Sequence, residues 1–91
     1  PGPEARRKAE DAAQRALQLD PSHALAQSSL AFVLSSDIHR WEQAGQYFAR
    51  AIAGNPQDPA IRARYAAYLG RRGRFTEAVS MAQSALDLEP A

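Results

Sequence analysis

Three prolines set a period. Pro21, Pro56 and Pro90 close the phrases "ALQLDP", "AIAGNP" and "ALDLEP", 35 and then 34 residues apart. The same step links Ala9, Ala44 and Ala78, and again Ala16, Ala51 and Ala85. Leu34 and Leu69 are 35 residues apart but Trp41 and Phe75 only 34, so the one extra residue lies between Leu34 and Trp41. Self-similarity at this step marks a stacked helical array, in which each unit buries its apolar face against its neighbours rather than in one closed core. With 91 residues there is room for a single domain.

Each period contains two helix patterns. Leu30, Val33 and Leu34 recur at helical spacing, then "SSDIHR" at 35–40 makes a turn. Trp41, Ala44, Tyr47, Phe48, Ala51 and Ile52 follow on one amphipathic face, and Asn55-Pro56 stops the helix because proline cannot continue the ladder. The second period starts on Asp58-Pro59, a capping carboxylate followed by proline at the first helical position. Ile61, Tyr65, Tyr68 and Leu69 carry its first helix, "GRRGR" at 70–74 offers two turn glycines, and Phe75, Ala78, Val79, Ala82, Ala85 and Leu86 carry its second. Ahead of both periods, Ala9, Ala13, Ala16 and Leu17 share a face of a lone helix. These patterns predict helices over 4–19, 22–35, 41–53, 58–71 and 75–88. Small residues such as Ala31 and Ala44 let two helices approach, while Leu34, Trp41 and Phe48 fill the wedge beside them, each large side chain contributing roughly 1.5–3 kcal/mol on burial.

This pattern resembles the tetratricopeptide repeat. Leu30, Ala31, Leu34, Ala44, Phe48, Ala51 and Pro56 match it in one repeat, and Tyr65, Ala66, Leu69, Ala78, Ala85 and Pro90 in the next, with Trp41 and Phe75 opening the second helices. Departures are Gln27 and Arg62 in place of an early tryptophan, Ala82 in place of a large aromatic, and Ile38 or His39 where a turn glycine is usual. The resemblance implies an all-α, right-handed superhelix of antiparallel helix pairs with five helices. It divides the chain into a half repeat at 4–21 (second helix only), a repeat at 22–56 and a repeat at 57–91, as a fragment of a longer array. It implies a scaffold that binds proteins, since the first helices of successive repeats line a concave face. The matching positions here are Leu25, Ser28, Phe32 and Ser35, then Ala60, Ala63, Ala67 and Arg71, with Arg64 nearby. Phe32 has two readings, an anchor in this groove or a core residue. The lysine/asparagine clamp with which chaperone-binding members hold a carboxylate is absent, because Ser28 and Phe32 occupy its positions.

Little else in the chain suggests chemistry. There is no cysteine, hence no disulfide framework, thiolate site or catalytic thiol. His23 stands beside a helix start and His39 in a turn, without the spacing of a metal site. No serine sits in a nucleophile motif and no glycine-rich phosphate loop occurs, so no enzyme, cofactor or metal is expected. The net charge of +1 sets up no field for nucleic acid or a membrane. No apolar run approaches a membrane span, and the N-terminus lacks a signal-peptide pattern. Ten of the eleven basic residues are arginine, which with the high alanine content points to a bacterial genome; a soluble, cytoplasmic protein is the expectation.

Charge is unevenly placed. Arginines 62, 64, 71, 72 and 74 fall in a segment with no acid, whereas Glu77, Asp87 and Glu89 follow with no base. The basic segment is either a solvated turn or a patch for an acidic peptide. Phosphate contacts with nucleic acid call for a larger basic surface. The leading expectation is therefore a protein-protein interaction module taking a peptide with an apolar anchor and acidic flanks. An alternative is a set of regulatory or spacer repeats attached to a bacterial signalling or transcription-regulator domain. The last helix has few charges for a terminal one, and Val79, Met81, Ala82 and Leu86 are expected to form an apolar side. That side predicts self-association, by docking of terminal helices or by exchange of a helix through the 35–40 turn.

Overall fold

The computed structural model describes residues 2–89, so Pro90 of the repeat pattern lies outside the described residues. It contains five α-helices and, among the described residues, no strand: α1 (Pro3–Leu19), α2 (Ala24–Leu34), α3 (Trp41–Gly54), α4 (Pro59–Arg71) and α5 (Phe75–Leu88). None of them is long and apolar enough to cross a membrane.

The helix ends follow local chemistry. The second helix begins at Ala24 rather than 22, because the Asp20 carboxylate accepts from the Ser22 backbone N–H at 3.2 Å and holds that residue in a turn. His23 then caps α2, its Nδ1 accepting from the Ala26 N–H at 3.3 Å. Asp58 caps α4 as its position predicts, accepting from the Ala60 N–H at 2.9 Å, with Pro59 opening the helix. The two inter-helix turns differ. The longer one winds into a 3-10 turn, Ile38–Arg40, capped by the Asp37 carboxylate on the His39 N–H at 2.9 Å. That turn absorbs the extra residue. The shorter one uses one glycine rather than two: Gly70 remains helical, and Gly73 alone takes a left-handed φ of 78°. Around it the Arg74 N–H reaches the Leu69 carbonyl and the Gly73 N–H the Gly70 carbonyl, the two bonds that close a helix on a left-handed residue.

Side-chain bonds fix how the helices run. Arg62 at the start of α4 donates to Ser84 near the end of α5 at 3.2 Å, so this pair is antiparallel. Arg64 and Arg71 of α4 donate to Ser28 and Ser35 on and just after α2, seven residues apart on both sides, so α2 and α4 run parallel and in register.

One core runs through the layers. Ala13, Leu30, Ala31, Leu34, Ala44, Phe48, Tyr68 and Leu69 are buried together, with Leu17, Trp41, Tyr47, Tyr65, Ala78 and Met81 packed against them. Ala44 and Ala51 are fully buried, Ala66 and Ala85 nearly so, which fits small residues at close helix contacts. Ala78 is only half-buried and Phe75 is exposed, whereas their counterparts Ala44 and Trp41 are fully buried and half-buried. The cause is positional: α4 lies over the α3 residues, and no described helix lies over the α5 face. Pro56 is exposed in the turn between α3 and α4. The aromatic centre is tighter than the sequence indicates. Phe48 lies 5.4 Å from Tyr65 and 5.3 Å from Tyr68 between ring centroids, and the Tyr68 hydroxyl donates to the Trp41 carbonyl at 2.7 Å.

Candidate functional site

The candidate site centres on Phe32. This residue is 43% exposed, a large apolar side chain left in water on α2. Two guanidinium groups flank it, Arg64 at 5.8 Å and Arg71 at 5.6 Å from the ring centroid. Both lie within the range of attraction between a cation and an aromatic face. Each arginine is tethered by a serine of the α2 segment: the Ser28 hydroxyl accepts from Arg64 at 3.3 Å and the Ser35 hydroxyl from Arg71 at 3.1 Å. Ser35 in turn donates to the Phe32 carbonyl at 2.6 Å. The spacing explains the cluster. Ser28 and Ser35 lie four residues before and three after Phe32, so all three share one face of α2, and the parallel register of α4 delivers an arginine to each serine. A guanidinium has five N–H donors, and one is used on each serine, which leaves donors for an incoming carboxylate.

Beside the ring a hollow of about 370 Å³ is lined by Ala5, Arg6, Ala9, Phe32, Val33, Ser36 and Arg71. It shares Arg6, Val33 and Ser36 with a larger hollow of about 670 Å³ that extends along α1 to Glu10, Ile38 and Arg40. There Arg40 donates to both oxygens of Glu10, at 3.0 and 2.7 Å. This two-pronged bond with Arg40 holds the Glu10 carboxyl below the ordinary glutamate value, partial burial opposing it, and the same bond raises Arg40.

The expected groove residues are therefore partly reunited. Phe32, Arg64 and Arg71 come together as expected, and the reading of Phe32 as a core residue fails on its exposure. Ser28 is a correction: it is fully buried, anchors Arg64 and presents no surface to a ligand. Leu25 is exposed but borders a separate hollow against α1, lined with Ala9, Ala12, Ala13 and Ala16, rather than the one beside Phe32. Ala63 and Ala67 are exposed on α4 and border neither hollow. The five-arginine segment also divides. Arg62 donates to the Pro56 carbonyl at 3.0 and 2.8 Å, Arg72 lies over Trp41 and Tyr68, and Arg74 binds Glu77, which leaves only Arg64 and Arg71 at Phe32. The α1 residues of this hollow are not among the expected groove positions. Ala5 and Ala9, four residues apart, form the other wall because α1 lies against α2, and that spacing was the available signal. Of the expected apolar side of α5, Val79, Ala82 and Leu86 are exposed, whereas Met81 packs against the core.

The chain matches no protein-family model and no curated protein.

Proposed function

We propose that this chain is a protein-protein interaction module that takes a segment of a partner along the Phe32 hollow. The observation that carries this reading is Phe32 itself, an exposed aromatic ring held between two serine-tethered arginines at the mouth of an apolar depression. An apolar anchor side chain fills the hollow, and acidic neighbours meet Arg64 and Arg71. The resemblance to the tetratricopeptide repeat supports a binding role, with helix pairs continued as a right-handed superhelix; the first helices α2 and α4 supply Phe32, Arg64 and Arg71, and α1 supplies the other wall of the hollow. The parallel register of α2 and α4 is in keeping with such an array.

The test is a titration of the labelled protein with a short synthetic peptide carrying one aromatic residue flanked by aspartates, followed by NMR. Shifts are expected at Phe32, Arg64, Arg71 and Ala5. Phe32→Ser removes binding, and Arg71→Glu weakens it and reduces its salt dependence. A lysine-flanked peptide of the same anchor binds poorly. Equal binding of the acidic and basic peptides, or unchanged binding by a folded Phe32→Ser variant, refutes the reading.

A further inference from the structure

The two arginines beside Phe32 differ from their neighbours in what they leave unused. Arg62, Arg72 and Arg74 bond a backbone carbonyl, a tyrosine hydroxyl and Glu77. Arg64 and Arg71 each bond one serine hydroxyl, and among the described residues neither forms an ion pair with an acid. They stand seven residues apart on α4, which is two turns, or about 10 Å along the axis. The Phe32 ring lies between them, its centroid 5.8 Å from one guanidinium and 5.6 Å from the other.

Resting on the binding role proposed above, we infer that the partner segment seated here is an α-helix, with two acids seven residues apart and its apolar anchor three or four residues after the first. The spacing of the arginines selects a helix over a strand. An extended segment advances about 3.3 Å per residue and turns alternate side chains to opposite sides. Two acids on one side of it are therefore about 6.6 or 13 Å apart, short of the arginine spacing or beyond it. Two acids at the three-residue step match the distance but point to opposite sides. A helix sets positions i and i+7 on one stripe about 10 Å apart, with i+3 and i+4 between them. Those two positions lean to opposite sides of the stripe, so one of them points to the hollow for each direction of the partner helix.

The protein already holds one helix against these arginines in this way. Ser28 and Ser35 of the α2 segment are seven residues apart with Phe32 between them, and each meets one guanidinium. A partner helix repeats that spacing from the open side, with carboxylates in place of hydroxyls. Bonds between guanidinium and carboxylate are roughly twice as strong as neutral ones. The surroundings have room for it. The α2 segment lies between α4, with its arginines, and α1, which runs antiparallel to α2 and exposes Ala5 and Ala9 one turn apart. Short side chains on that wall let a helix approach closely.

The test is calorimetric titration of the native chain with stapled, alanine-based peptides of about 15 residues, long enough to hold a helix. Each carries two glutamates and one phenylalanine, placed at i+3 or at i+4. The peptide with glutamates at i and i+7 is expected to bind about tenfold tighter than one with them at i and i+5, because one charge-assisted contact is worth about that factor. An unstapled form with a central proline and the same charges is expected to lose at least as much. Arg71→Glu is expected to lose the i, i+7 peptide and to regain it when one glutamate, and not the other, becomes lysine. Equal binding of the two spacings, or of the proline form, overturns the helix and leaves an acidic segment with an apolar anchor as the ligand. Rescue of Arg71→Glu by lysine at both positions or at neither overturns it as well. No binding by any of the peptides overturns both the helix and the binding role.

Discussion

Gly45 sits inside α3, where alanine is the better helix former by about 0.8–1.0 kcal/mol. Judged by propensity alone, Gly45→Ala stabilises the protein. The packing predicts the reverse. A β-carbon at Gly45 would lie 2.7 Å from the Tyr68 hydroxyl and 3.4 Å from its ring carbon Cζ. The hydroxyl is the tip of a side chain, but not one that can swing away. Tyr68 is 1% exposed, its ring lies 5.3 Å from Phe48 and 5.9 Å from Tyr65, and its hydroxyl donates to the Trp41 carbonyl while accepting from Arg72 at 3.1 Å. Overpacking of this kind costs about 1–3 kcal/mol, and strain on the hydroxyl bonds adds up to about 1 kcal/mol. Against the helix gain, the net destabilisation lies between about 0 and 3 kcal/mol, each kcal/mol lowering the melting temperature by roughly 4–8 °C for a domain of this size. The decisive assay is a double-mutant cycle by chemical denaturation. Tyr68→Phe removes the hydroxyl, so Gly45→Ala introduced into that variant should be neutral or stabilising by up to about 1 kcal/mol. The sign of one substitution thus reverses with the background. If Gly45→Ala stabilises the native chain as much as the Tyr68→Phe chain, the close approach of α3 and α4 is refuted.

Ala44 and Ala78 occupy equivalent positions but should respond differently. Ala44→Leu is expected to destabilise by about 1–3 kcal/mol because Ala44 has no exposed surface, whereas Ala78→Leu at a half-buried site should cost about 1 kcal/mol or less; denaturant unfolding compares them directly. The Arg40–Glu10 pair predicts a pH effect. Because Arg40 lowers the Glu10 carboxyl in the folded state, the pair stabilises fully above the ordinary glutamate value, and the contribution is lost as pH falls through the depressed folded value. Side-chain exposures of 37% for Arg40 and 20% for Glu10 let solvent screen it, so its worth is about 1 kcal/mol. Glu10→Gln should therefore lower the unfolding midpoint at neutral pH and show a shallower acid loss than the native chain; parallel pH profiles of the two proteins would count against the pair.

The amino-acid sequence determined the helices and their order. Its 34/35 step, the prolines after each phrase, the caps Asp58 and His23 and the small residues Ala44 and Ala51 are short-range signals. Each acts within a few residues of where it stands, and the helices run within two residues of where those signals put them, α2 starting late at Ala24. The side chains that meet across helices were decided only by tertiary structure. Five neighbouring arginines look alike in sequence, yet the parallel register of α2 and α4 sends Arg64 and Arg71 to Ser28 and Ser35, while the turn after α4 folds Arg72 onto Tyr68 and Trp41. Periodicity assigns the same face to Trp41 and Phe75, and only the presence of α4 beside one of them half-buries the first and leaves the second in water. Phe32 is exposed for a related reason. It points off the apolar face of its own helix, and whether such a residue is buried depends on which neighbour lies there. That neighbour belongs to a different part of the chain, and local sequence carries no signal for it.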